Sequence, residues 1–158
     1  MKPSIDSSRL LFLSRVANKE AEYLQFTDQQ LFRAPFAPET VAVLAAQPEL
    51  AERVDAFVSR FGRLQDTLGD KLLPALLNAL GEPVGAALDN LARAERLGWI
   101  EQAEQWMTMR NLRNKMVHEY IEDPAVLADA LNAGHHFVPT LLATTKAMQH
   151  EIHRRGWQ

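Results

Sequence analysis

Between Val54 and Leu80 the chain carries apolar side chains at Val54, Phe57, Val58, Phe61, Leu64, Leu68, Leu72, Leu76 and Leu80, in steps of three and four. That spacing lines one face of a 3.6-residue helix and does not fit the two-residue alternation of a half-buried strand. An apolar stripe of about seven turns has to be covered by partners carrying stripes of their own. The rest of the chain supplies them, because apolar residues recur at three and four almost everywhere and strict alternation appears nowhere. The fold class expected is all-α, an antiparallel helical bundle of about five main helices.

Local breakers divide the bundle. A first helix is expected from Asp6 or Ser7, which suit an N-cap, through Leu10, Leu13, Val16 and Ala17 to near Leu24, with Thr27 capping a short turn through Phe32. Pro35 and Pro38 break the chain, and a short helix ends near Ala46. Pro48 then opens the long helix at a position where proline is tolerated, Pro74 should kink it, and Gly81 and Pro83 stop it. A shorter helix through Leu88, Leu91 and Leu97 ends at Gly98. Two more follow, about Glu101 to Tyr120 and about Pro124 to His153, the last capped by Asp123 and open to interruption at Gly134 and Pro139. With no repeat or linker, residues 1–158 read as a single domain.

Composition narrows the function classes. The 158 residues include no cysteine, which excludes disulfides, thiolate metal sites and cysteine nucleophiles. The apolar run Leu10 to Leu13 is too short for a signal peptide or a membrane span, so a cytoplasmic protein without a membrane partner is expected. Net charge is -3, so no global basic field draws the chain to DNA, and any polyanion has to be met by a local cluster.

Such a cluster is "RNLRNKMVHEY", residues 110–120. Trp106, Met109, Met116 and Tyr120 form an apolar seam in steps of three and four, and the member missing between Met109 and Met116 is Arg113. An arginine on a seam snorkels, pairs with a carboxylate, or points into a cleft that holds an anion. Asp66 on the long helix is a candidate partner for it, whereas Asp66 and Asp70 together read more simply as a solvated face with Arg63 and Lys71. Arg110, Asn114 and His118 follow one ribbon beside the seam, and the same residues can meet their counterparts across a two-fold axis.

Arginine, asparagine and histidine together suit phosphodiester chemistry. An imidazole titrating near neutral pH can take a proton from a ribose 2′-hydroxyl or return one to a leaving 5′-oxygen. A guanidinium can hold the phosphate and the charge growing on its oxygens, and an amide can orient the reacting groups. The ribose would supply the nucleophile, so neither metal nor cofactor is expected, and the chemistry would restrict the substrate to RNA.

The segment "RNKMVHEY", Arg113 to Tyr120, resembles the signature of HepT-type toxins in the HEPN superfamily (higher eukaryotes and prokaryotes nucleotide-binding domains): arginine, a polar residue, three further residues, histidine, any residue, tyrosine. "RFGRLQDTLGDKLL" looks like that family's second helix and "LDNLARAERLGWIEQAEQWMTMRNLRNKMVHEY" like its third and fourth, so the resemblance covers roughly residues 50 to 130. It implies a HEPN-like bundle and the toxin of a type VII toxin-antitoxin pair, a metal-independent endoribonuclease. Arg113 and His118 would be its catalytic pair and Asn114 their support; Arg110, outside the signature and at a wider separation from His118, is a second candidate that ranks below Arg113, as a phosphate-positioning residue. Tyr120 would receive AMP from a minimal nucleotidyltransferase antitoxin, and two motifs would line one groove of a homodimer. The alternative is a helical companion, a substrate-binding subunit of a nucleotidyltransferase without catalysis of its own.

Other signals are weaker. His135 with His136, and His150 with His153, lack a third ligand at a suitable position, and no metal is expected. Trp99, Trp106 and Trp157 read as core, interface or end-anchoring residues.

Overall fold

The structure is a computed structural model that describes residues 5–118 and 123–157. It is an all-α bundle, with no strand among the described residues. In chain order come α1 (Ile5–Leu31), α2 (Pro38–Ala42), a 3₁₀ turn (Leu44–Ala46), α3 (Pro48–Asp66), a π-helical segment (Thr67–Leu72), α4 (Leu73–Ala79), α5 (Ala87–Arg96), α6 (Ala103–His118) and α7 (Pro124–Arg154). The segments α3, π and α4 follow one another without a break, so the apolar seam that starts at Val54 lies along one rod. Val54, Phe57, Phe61, Leu64, Leu68, Leu72 and Leu76 are all buried in it.

Three other helices pack on that rod or on one another in antiparallel register. Against α1, Arg60 donates to the Tyr23 carbonyl and to the Thr27 hydroxyl, and Phe32 meets Phe57 edge-on with centroids 5.0 Å apart. Between α1 and α7, Gln149 donates to the Ser14 carbonyl while Asp28 bonds the His135 ring at 2.6 Å. The loop before α2 is tied to α7 by a reciprocal pair, the Phe36 N–H to the Asn132 carboxamide and that amide back to the Phe36 carbonyl, both at 2.9 Å. Trp99, Trp106 and Trp157 are buried, as their size and apolarity require.

The expected stops are present with their physical cause. Gly81 and Gly98 adopt φ of 75° and 82°, a region in which a Cβ is costly. After Gly81 the N–H of Glu82 reaches the Leu77 carbonyl at 2.9 Å and that of Gly81 reaches Asn78 at 3.0 Å, the paired bonds that close a helix with left-handed glycine. Asp123 caps α7 through Oδ1, which accepts from the N–H groups of Ala125 and Val126. The first N–H of α6, on Ala103, donates at 2.7 Å to the Glu95 carboxylate of α5, which suits the positive end of that helix.

Two expectations need correction, and one takes a more specific form. First, α1 runs unbroken to Leu31, with Asp6 and Ser7 inside its first turn, and Thr27 caps nothing. Its buried stripe continues through Thr27, Asp28 and Leu31. The first two are polar and conceal it, and they are satisfied by Arg60 and His135. Second, at Pro74, where a kink is expected, the rod continues through a π turn. The residue before it, Leu73, donates to the Leu68 carbonyl five residues back, so the widened π turn accommodates the ring and its missing donor. Third, α7 continues through Gly134 and Pro139. Gly134 is buried where Met116 and Phe57 press on it, and Pro139 lies on the exposed side, where water can satisfy the His135 carbonyl. The fourth main helix is α6, starting at Ala103 rather than Glu101, and its expected end at Tyr120 lies outside the described residues.

Two glycine substitutions should differ in outcome. A Cβ on Gly69 would stand 2.8 Å from Nε1 of the buried Trp106 ring. Overpacking of about 1–3 kcal/mol there exceeds the helix-propensity gain of up to about 1 kcal/mol, so Gly69→Ala should lower the urea midpoint. At Gly134 the nearest atom is the Met116 methyl at 3.2 Å, the end of a flexible side chain. Gly134→Ala should stay within about 1 kcal/mol of wild type.

Near the end of α7, Glu151 is buried and receives Arg154 through two hydrogen bonds of 3.0 and 3.1 Å. The Arg154 hydrogen bond holds its carboxyl below the ordinary value, burial opposes this, and the charges of Arg154 and Arg155 add to the lowering. A depressed carboxyl contributes stability that is complete above its unfolded-state pKa and is lost as pH falls through the folded one. Glu151→Gln should therefore be less stable than wild type at neutral pH, and urea titrations in increasingly acidic buffer should bring the two together.

Candidate functional site

Where α6 crosses α3 and the π segment, two residues without side chains create the contact. Gly62 and Gly69 stand seven apart on the rod, and Arg113 and Trp106 stand seven apart on α6 in the opposite direction. A Cβ on Gly62 would lie 2.9 Å from Arg113 Nε, and one on Gly69 would lie 2.8 Å from Trp106 Nε1. Between these two contacts the buried Gln65 donates to the Trp106 carbonyl at 3.3 Å, while its Oε1 has no hydrogen-bond partner.

The seam of α6 is buried at Trp106, Met109 and Met116, and Arg113 fills the gap between them. Its stem lies over Gly62, and its Nη1 donates to Asp66 Oδ1 at 2.8 Å. Of the three readings open for this arginine, the ion pair across helices is the one realised. A second pair lies one turn away: Arg110 Nη2 reaches both oxygens of Asp70, at 3.2 and 3.3 Å. Asp66 and Asp70 therefore do not pair with Arg63 and Lys71 as one face. Both reach α6, Asp66 half-buried and Asp70 exposed, whereas Arg63 and Lys71 form no ion pair among the described residues.

Both pairs are partly screened. Side-chain exposure is 33% for Arg113 and Asp66, and 34% and 44% for Arg110 and Asp70. Among the described residues Arg113 forms one side-chain hydrogen bond, from Nη1 to Asp66, and its Nη2 has no partner there. Arg110 likewise spends a single nitrogen.

Asn114 and His118 stand one turn apart on the last turns of α6, and both reach solvent. Among the described residues His118 forms no ion pair. Within one chain Arg113 and His118 are not joined. Five residues at about 100° each separate them by about 140° around the axis, and the Arg113 guanidinium is committed to α3. The structure thus groups Arg110 and Arg113 with two carboxylates and leaves Asn114 and His118 open beside them. Tyr120 lies outside the described residues.

The other histidines have different roles. His135 bonds Asp28 and stacks on Phe32 with centroids 4.4 Å apart, and it fastens α1 to α7. No group of three or more histidines and carboxylates that could hold a metal ion occurs among the described residues, and no helix there is long and apolar enough to cross a membrane. The glycines at 62 and 69 escaped the sequence reading, although their seven-residue spacing around Asp66 was a visible sign of a close helix crossing.

No family model, curated protein or solved structure matches this chain. Its function therefore has to be sought in its own residues.

The Arg113–Asp66 pair can be measured by itself. A double-mutant cycle of Asp66→Ala and Arg113→Ala should give a coupling of about 0.5–1 kcal/mol, the range of partly exposed ion pairs. That coupling should shrink in molar salt.

Proposed function

We propose that the protein is a metal-independent endoribonuclease acting as a homodimer, the toxin of a type VII toxin-antitoxin pair. The observation that carries the reading is the arrangement on α6: His118 and Asn114 open to solvent one turn apart, beside an arginine that Asp66 anchors while several of its donors stay free.

The chemistry follows from those groups. His118, as the neutral imidazole, takes the proton of a ribose 2′-hydroxyl. The 2′-oxygen forms a bond to phosphorus, the bond from phosphorus to the 5′-oxygen breaks, and the 5′-oxygen leaves with a proton from an imidazolium. In a two-fold dimer that imidazolium is the second copy's His118, so one cycle uses both copies of the ribbon. Arg113, fixed by Asp66, stabilises charge on the phosphate oxygens without reorganising, and Asn114 orients the hydroxyl or the ring. Arg110 positions a neighbouring phosphate. The products are a 2′,3′-cyclic phosphate and a free 5′-hydroxyl.

On this reading a nucleotidyltransferase antitoxin silences the toxin by adding AMP to Tyr120, two residues beyond His118. The modification brings bulk and a negative phosphate to a surface whose task is to attract one.

A second reading, a non-catalytic companion of a nucleotidyltransferase, draws support from the ion pairs themselves. With Asp66 and Asp70 opposite them, Arg113 and Arg110 already have the partners that a purely structural seam would need.

Purified protein should cut RNA in EDTA and leave cyclic phosphate ends. Arg113→Ala and His118→Ala should each lower the rate by about 10²-fold or more, the usual worth of a positioned acid-base or oxyanion group, with Arg110→Ala less damaging. Equal cutting by wild type and both variants would sink the nuclease reading. Intact RNA together with a stable complex with a nucleotidyltransferase would select the companion. Intact mass after co-expression with that enzyme should rise in AMP units, and Tyr120→Phe should abolish the rise.

A further inference from the structure

Behind the Arg110–Asp70 pair lies a cleft of about 370 Å³ that the α6 motif does not include. Arg9 of α1, Asp70 and Lys71 of the π segment and Asn78 of α4 form its polar lining, with Pro74 and Val84 on its apolar side. Its volume falls within the range of small-ligand sites, roughly 300–1,000 Å³.

The charge of this lining differs from that of the whole chain. Arg9 and Lys71 are exposed, and among the described residues neither has an ion-pair partner. The one carboxylate, Asp70, is already engaged by Arg110. Within the lining Arg9 and Lys71 outnumber Asp70 by one positive charge, and Asp70 is in turn paired by Arg110 beside the cleft, on a chain of net charge -3. Two cations on separate elements, lining one space and without an ion-pair partner among the described residues, attract a ligand with repeated negative charge.

The π segment makes this arrangement by giving three consecutive residues different neighbours. Gly69 meets Trp106, Asp70 meets Arg110, and Lys71 lines the cleft. Such π turns recur at functional sites because they redirect side chains that a regular helix would aim elsewhere. Asn78 adds an amide able to donate and accept, and Pro74 and Val84 supply an apolar wall for a ribose or base.

We propose that this cleft is a second phosphate-binding subsite, which holds the backbone of a single RNA strand upstream or downstream of the reacting bond. The proposal rests on the ribonuclease reading of α6 for the identity of its ligand. Arg110 joins the two regions, since it pairs with a residue of the cleft wall and stands on the ribbon that ends at His118. Eight residues of helix separate Arg110 from His118, about 12 Å at 1.5 Å per residue. The subsite therefore engages strands longer than the two nucleotides that flank a cut.

The test uses binding, so it does not depend on catalysis. The probe is a fluorescein-labelled 2′-O-methyl oligoribonucleotide of about a dozen residues, which lacks the nucleophile for cleavage, titrated with the full chain by anisotropy over a salt series. Wild type should bind it. The Arg9→Glu/Lys71→Glu variant should bind at least about ten-fold more weakly, with a salt slope lower by about 1.4, at roughly 0.7 for each phosphate of a single strand that is no longer neutralised. The same charge change at exposed sites away from the cleft, Arg15→Glu/Arg96→Glu, should leave affinity within about two-fold of wild type. Circular dichroism checks the fold, and if the reversal variant loses helix the milder Arg9→Gln/Lys71→Gln pair should weaken binding in the same direction. Absence of binding by wild type, unchanged binding by the cleft variants, or an equal loss in the control would each overturn the subsite. Binding that depends on Arg9 and Lys71 in a protein that fails to cut RNA would leave the subsite standing and remove only the nuclease reading.

Discussion

The close approach of α6 to the long rod, through the two positions that lack a side chain, is the contact on which the candidate site depends. Trp106 can sink against the rod because residue 69 offers no Cβ, and the Arg113 stem can lie flat because residue 62 offers none. Seven residues is two helical turns, so the two contacts set both the spacing and the antiparallel register of the crossing. Once that register is set, Asp66 and Asp70 fall opposite Arg113 and Arg110 with no further adjustment. Bulk at Gly69 would meet the buried Trp106 ring, and bulk at Gly62 would displace the Arg113 side chain that reaches Asp66. The polar site is thus built on a packing decision, made by a buried tryptophan and two glycines.

How much of this could be read in advance followed from the range of the interaction involved. The seam from Val54 to Leu76, the stops at Gly81 and Gly98 and the cap at Asp123 are local, and each behaves as its residue type demands. The unbroken lengths of α1 and α7 were not legible, because each is decided by a neighbour distant in sequence. Thr27 and Asp28 look like a helix end until Arg60 and His135 are placed beside them. Gly134 looks like a weak point until Phe57 and Met116 are packed on it, and burial there outweighs a propensity penalty of about 1 kcal/mol.

The same distinction applies to the site. Arg113 stood out because a charge interrupted an apolar seam, and its partner Asp66 was identifiable because both stripes were periodic. Arg110–Asp70 was missed for the complementary reason: Asp70 sits in the π segment, where regular helical counting no longer gives the direction of a side chain. The resemblance of roughly residues 50 to 130 to a toxin family names neither the carboxylates nor the cleft as part of a site.

The carboxylates change what the arginines can do. An exposed arginine binds phosphate after surrendering rotamer freedom, up to about 2 kcal/mol for a side chain of its length. Arg113 has already surrendered it to Asp66 and Gly62, so a phosphate arriving at its free donors meets a fork fixed in direction. The cost is charge, since each aspartate cancels the long-range attraction of its arginine. Arg9 and Lys71 carry no such partner among the described residues, and they keep the attraction that Arg110 and Arg113 have given up. On the proposed ribonuclease reading, a surface divided in this way separates two tasks that conflict in one residue: cations without a carboxylate partner would draw a polyanion in, and paired ones would hold the reacting phosphate in a fixed geometry. That division is what the proposal requires of a chain of net charge -3, on which local chemistry has to act against the global field.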